Sequence, residues 1–159
     1  MLVRPLDLAG VVVGGMHADV RTLEGMGGGA PPGRQFEVCR GIGASFGYVA
    51  DETEDRCIAV HDLLRLLVDT VADGGNLLLN IGPKADGSVP EEALERLAVV
   101  GPWLKRNGEA VYGPVDLANA ERMEGLLTGR FTLKGNVAYF WADKWPGHEL
   151  VLAGLTEAV

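Results

Sequence analysis

Two carboxylates stand out. Glu24 closes the segment Asp19-Val20-Arg21-Thr22-Leu23-Glu24, directly before a stretch crowded with glycine and proline that runs from Gly25 to Gly33. Glu37 lies inside an apolar run, Phe36-Glu37-Val38-Cys39. A carboxyl group on a mobile loop can protonate a leaving group and later take a proton from water, which is general acid–base chemistry. Pattern alone does not demand it: Glu37 has Arg40 nearby as an ion-pair partner, and a structural role accounts for both residues. The acidic run Asp51-Glu52-Thr53-Glu54-Asp55 reads as a solvated loop.

Other chemistries find little support. His17, His61 and His148 share no metal-ligand spacing with one another or with a cysteine, so no metal site is expected. Gly41-Ile42-Gly43-Ala44-Ser45-Phe46-Gly47 misses the dinucleotide spacing by one residue, and the carboxylates that follow it would repel a phosphate. Its glycines instead suit a bend at a strand end where another backbone or a ligand comes close. Cys39 and Cys57 stand 18 residues apart without a CxxC and read as two thiols rather than a disulfide. There is no GxSxG.

The elements that must position these residues follow from periodicity. Leu63, Leu64, Leu67, Val68 and Val71 form one apolar stripe of a helix over about 59–73, stopped by Gly74-Gly75. Leu77-Leu78-Leu79-Asn80-Ile81 reads as a parallel strand covered on both faces. A second helix is expected from Ser88 and Glu91, which have capping-box spacing, to Asn107-Gly108, with Pro102 disturbing it. Val11–Val13 and Phe36–Arg40 complete the strands, while 19–24 reads as irregular. Helix, buried strand and helix imply βα units on a parallel sheet. The tail differs. Arg130–Lys134, a Gly135-Asn136 turn and Val137–Ala142 make a hairpin, with a third strand near 149–152.

The chain has 159 residues, 47% hydrophobic and 23% charged, with a net charge of -8. Disorder is excluded by that composition, and a nucleic-acid or anionic-membrane surface by that charge. No apolar run approaches the roughly 18 residues of a membrane span. The Leu8–Val13 stretch has no cleavage site after it, so no signal peptide is expected and localisation stays open.

In order along the chain come Phe36-Glu37-Val38-Cys39-Arg40-Gly41-Ile42-Gly43, Ser45-Phe46-Gly47-Tyr48, Leu66-Leu67-Val68-Asp69, Gly74-Gly75-Asn76-Leu77-Leu78-Leu79-Asn80-Ile81-Gly82-Pro83, Asp86-Gly87-Ser88-Val89-Pro90 and Trp103 to Gly113. Together these phrases resemble the distal catalytic domain of family 29 glycoside hydrolases, the α-L-fucosidases. The resemblance implies an α/β fold: a partial (β/α)8 barrel over 1–113, then the short antiparallel strands of a truncated β-sandwich over 114–159. It implies retaining hydrolysis of terminal α-L-fucosyl residues from glycans without metal or organic cofactor. Glu24 matches the acid/base segment, with Glu37 as the alternative, and Phe46 matches the aromatic that lines the sugar pocket near its methyl group.

The departures are specific. The family's nucleophile sits in a Trp-Asn-Asp-like phrase that none of these 159 residues match, and its place is expected before Met1. Met16 stands where a substrate-binding arginine is usual. The chain alone is therefore expected to be inactive and, with an open sheet border, marginally stable or aggregation-prone. The alternative is a non-catalytic carbohydrate-binding or scaffold remnant of the same fold.

Overall fold

The computed structural model of the chain describes residues 11–13, 20–24, 35–113, 129–142 and 147–148. In chain order these form β1 (Val11–Val13), β2 (Val20–Glu24), β3 (Gln35–Gly41), α1 (Val60–Ala72), β4 (Asn76–Asn80), α2 (Glu91–Val111), β5 (Gly129–Lys134) and β6 (Val137–Ala142). The expected strand near 149–152, the expected loop from Gly25 to Gly33 and Met16 lie outside the described residues.

One sheet runs β1-β2-β3-β4. β1 is antiparallel to β2, whereas β2, β3 and β4 are mutually parallel. The segment read as irregular is thus a strand. Val20–Glu24 has too few apolar residues to announce itself, and its ladders to β1 and β3 hold it extended.

Strand alternation divides β3 between two faces. Phe36 and Val38 are buried, while Glu37 and Cys39 face the other way and stay partly open. Alternation also puts positions 37 and 40 on opposite faces, so Arg40 is not positioned to pair with Glu37. Leu63, Val68 and Val71 of α1 join the buried set together with Thr70. Gly74 ends α1 at φ +79, the left-handed stop expected there. The next residue, Gly75, lies against the Phe36 ring, whose atoms would fall within 2.4–2.7 Å of a Cβ.

β4 departs from its apolar reading. Leu78 is 44% exposed, and no β4 residue is fully buried. Among the described residues β4 has a partner on one side only, β3. Leu79 and Ile81 pack with Ile42, Cys57 and Ala93, so one face is covered and the Leu78 face is open.

α2 starts and stops elsewhere than expected. Pro90 is its N-cap residue, and no side chain caps it. Ser88 instead gives its hydroxyl to Asp86 Oδ1 at 2.7 Å, in the turn before the helix. At the other end α2 runs through Asn107 and Gly108 to Val111. Gly108 is tolerated there because the Tyr112 ring folds onto it, close enough that a Cβ would meet ring carbon at 2.8 Å. The Pro102 disturbance leaves the helix continuous.

β5 and β6 pair antiparallel around Gly135-Asn136, with Gly135 at φ +57. The hairpin docks on the helices. Trp141 packs on Trp103 at 5.4 Å between ring centroids. Thr132 Oγ1 donates to Ala110 O at 2.9 Å and accepts from Trp141 Nε1 at 3.1 Å. Arg130 bonds Asp73 at the end of α1.

Candidate functional site

β2, β3 and β4 run the same way, so Glu24, Gly41 and Asn80 end at one border of the sheet. Ligands of parallel α/β sheets gather at such a border. The register sorts the two candidate carboxylates by depth. Glu24 is level with Cys39, which is level with Leu78. Thr22, Glu37 and Asn76 form the row below, and Gly41 and Asn80 the row above. Rows that share a face are about 7 Å apart. Position 24 is therefore nearer the border than position 37.

Above the border lies the loop after β3. Its first turn is pinned by Ile42 N–H donating to Asn80 O at 3.0 Å, and its return by Ile58 N–H donating to Ile42 O at 2.8 Å. The Asn80 side chain donates from Nδ2 to Phe46 O at 2.7 Å. That bond ties the expected sugar-lining aromatic to the C-terminal end of β4. Phe46 and Tyr48 are both 44% exposed, leaving two aromatic surfaces open beside the strand ends.

Two glycines of this loop serve close packing, since a Cβ on Gly41 would meet Ser45 O at 2.9 Å and one on Gly43 the Glu52 carboxylate, whereas Gly47 has nothing within 4 Å. Gly82, after β4, lies against the Gly47–Tyr48 backbone, where a Cβ would meet main-chain atoms at 2.5–2.7 Å. Backbone cannot swing aside as a flexible side chain can. Gly82→Ala is expected to cost about 1–3 kcal/mol and to push the Phe46 loop off the end of β4. A drop in the urea midpoint with unchanged m-value, together with altered near-ultraviolet circular dichroism, checks this.

One member of the acidic run is only partly solvated. Glu52 Oε2 accepts from Ala44 N–H at 3.3 Å, and Oε1 is buried without a hydrogen-bond partner. Glu52 borders a cavity of about 240 Å³ with Ser45, Tyr48, Cys57 and Lys84. Glu37 and Phe46 do not line this cavity. It lies on the helix side of the loop, between that loop and the start of α2.

Cys39 and Cys57 are thiols, as expected. Burial pushes the Cys57 thiol up, against the lowering effect of the Arg96 charge. His61 is exposed in the first turn of α1, beside Asp62 at 3.2 Å. Among the described residues no three His, Cys, Asp or Glu side chains gather as metal ligands would, and no helix is long and apolar enough to cross a membrane.

Parallel strands with helices on one face and a loop-built border at their C-terminal ends define an α/β protein. The sequence profile of the family Alpha-L-fucosidase matches residues 11–109, and the chain belongs to that family. It is similar to mouse tissue alpha-L-fucosidase, 44% identical over 122 residues that cover 76% of the chain and 26% of the relative. The human tissue enzyme is 35% identical over 116 residues, covering 72% of the chain and 25% of the relative. The chain thus spans about a quarter of the length of these curated relatives.

Among solved structures, Thermotoga maritima alpha-fucosidase in complex with a mechanism-based inhibitor superposes with a TM-score of 0.68 at 41% identity, covering 80% of this chain and 29% of that one. A family 29 alpha-L-fucosidase from Bacteroides thetaiotaomicron, solved as a trapped covalent intermediate, superposes with a TM-score of 0.53 at 29% identity, covering 65% and 23%.

Proposed function

We propose that this chain supplies the proton-transfer and sugar-lining part of a retaining α-L-fucosidase site, acting on terminal α-L-fucosyl residues of glycans. The register carries this reading, because it puts position 24 in the row next below the border where Asn80 holds Phe46. In the proposed chemistry an aspartate attacks the anomeric carbon, and the Glu24 carboxyl gives its proton to the departing glycosidic oxygen. Glu24, now ionised, takes a proton from water as that water opens the fucosyl ester, which restores the aspartate and the Glu24 carboxyl. The Bacteroides relative trapped as a covalent intermediate supports the two-step route. Phe46 would take the sugar's methyl group, which gains by leaving water where a hydroxyl would lose a partner.

In this reading residues 1–113 belong to a (β/α)8 barrel and 114–159 begin a β-sandwich. The attacking aspartate has no matching phrase within these 159 residues. The chain by itself is therefore expected to release no nitrophenol from nitrophenyl α-L-fucoside. A chimera in which it replaces the matching segment of the mouse relative is expected to do so. Turnover by the chain alone would overturn the expected inactivity. A folded chimera that binds no fucose would overturn the assignment of the site.

A further inference from the structure

Asn80 ends β4 with two bonds of different reach. Its carbonyl accepts from Ile42 N–H at 3.0 Å, which continues the β3–β4 ladder. Its side chain donates from Nδ2 to Phe46 O at 2.7 Å, across 34 positions of sequence. From this second bond we infer that Asn80 is a positioning residue. Through the Phe46 carbonyl it sets how far the aromatic wall stands from the sugar, and so how strongly a methyl group is preferred there over a hydroxymethyl group. The inference rests on the fucosidase reading, in which Phe46 takes the methyl group.

Alternation along β4 gives the amide its place. Leu79 and Ile81 pack on the helix side with Ile42, Cys57 and Ala93. Asn80 therefore turns to the opposite face, the one that Glu37 and Cys39 share by register. Position 24 lies one row below it. The loop after β3 is held at its ends by other bonds: Ile58 N–H to Ile42 O at 2.8 Å, and Ala44 N–H to Glu52 Oε2 at 3.3 Å. Gly47 N–H donates to Ser45 Oγ at 3.3 Å, which curls the chain around Phe46 without tying it to the sheet. Gly82 lets the Gly47–Tyr48 backbone come close to the strand end, and the Asn80 amide holds it there.

A hydroxymethyl group differs from a methyl group by one hydroxyl. A close aromatic wall leaves that hydroxyl without a hydrogen-bond partner, whereas a wall that recedes admits it together with water. Removing the amide hydrogen should therefore cost discrimination before it costs chemistry. Aspartate isolates that hydrogen, because the carboxylate has the shape of the amide and only accepts. Asn80→Ala removes shape and donor together.

Two readouts test this. The chain has four phenylalanines, Phe36, Phe46, Phe131 and Phe140, so labelling with 4-fluorophenylalanine gives four fluorine signals, each assigned by a leucine replacement. In the purified chain Asn80→Asp and Asn80→Ala are expected to move the Phe46 signal and leave the other three, which report that the fold persists. Asn76→Asp, on the same face two rows deeper, is expected to move none. In the chimera with the mouse relative, nitrophenyl α-L-fucoside is compared with nitrophenyl α-L-galactoside, which carries a hydroxymethyl group in place of the methyl. Both Asn80 variants are expected to lower the fucoside-to-galactoside ratio of kcat/KM about three- to tenfold, chiefly by raising KM for the fucoside. An unmoved Phe46 signal in Asn80→Asp, or an unchanged ratio while fucose is still released, would overturn the role of Asn80 and leave the fucosidase reading standing. Movement of all four signals in Asn80→Asp, or of the Phe46 signal in Asn76→Asp, would also overturn it. A parent chimera that releases neither sugar would overturn the fucosidase reading and the role together.

Discussion

Replacing Arg96 by alanine is expected to destabilise the fold by about 3–5 kcal/mol, a large share of the roughly 5–15 kcal/mol a domain commonly has. Arg96 is 5% exposed although it carries a full charge. Its hydrogen bonds go to main-chain carbonyls: Nε to Ile58 O at 2.8 Å, Nη1 to Glu92 O at 2.9 Å and Nη2 to Glu54 O at 3.2 Å. One planar guanidinium thus ties the 54–58 segment to α2. Removing it takes the charged donor from the half-buried Ile58 carbonyl and leaves Glu54 O with the Cys57 N–H at 3.1 Å. A buried group left without its partner costs about 1–3 kcal/mol, and bonds to a charged donor lie at the upper end.

Arg96→Lys keeps the charge but not the fork and is expected to lose about 2 kcal/mol. Urea unfolding followed by circular dichroism measures both variants. A second readout is chemical. Cys57 lies between the two tethered carbonyls and is buried, so iodoacetamide should reach it in the parent only on global opening. In Arg96→Ala it should react through local opening at urea concentrations where the secondary structure persists. An alanine variant within about 1 kcal/mol of the parent, with Cys57 still protected, would mean that the guanidinium does not hold this segment.

Arg96 also marks where sequence reading ended. β3, β4, both helices and the hairpin were legible because their apolar residues recur at the periods their backbones impose, and Gly74 and Gly135 marked their stops. An arginine in an amphipathic helix reads as solvated by default. The signal that would have found it is angular: position 96 falls on the stripe of Ala93, Leu97 and Val100, which packs inward. β2 was not legible because its strand state comes from ladders to neighbours distant in sequence. Nor was the passage of α2 through Gly108, which depends on a ring from Tyr112. Leu78 failed in the opposite direction, since an apolar run does not say whether both faces of its strand are covered, and among the described residues the Leu78 face is open. For the site, the family phrases nominated Glu24 and Phe46. That position 24 outranks 37 in height is a matter of register, which no local pattern contains. Glu52 was submerged in its acidic run, although its carboxylate accepts from Ala44 N–H across the loop.

That difference in height gives the other large effect. In the chimera, Glu24→Gln is expected to lower fucose release from natural glycosides by about 10²–10⁴-fold, or about 2.7–5.5 kcal/mol of transition-state stabilisation. Glutamine keeps the shape and loses the transferable proton, so an alkoxide of high basicity must leave unassisted. The loss should shrink with the basicity of the leaving group. Nitrophenolate departs without a proton, so its first turnover should be nearly as fast as in the parent chimera. The second step still lacks its base, and the fucosyl ester should accumulate, giving a burst followed by slow turnover. Azide needs no deprotonation and should rescue that step, releasing fucosyl azide of retained configuration. Glu37→Gln, one row deeper, should show neither the leaving-group dependence nor the azide rescue. If the two variants exchange these signatures, Glu37 is the acid/base and the height of position 24 has misled. If neither shows them, proton transfer belongs to a carboxylate outside these strands, and the part this chain plays in the reaction reduces to lining the sugar.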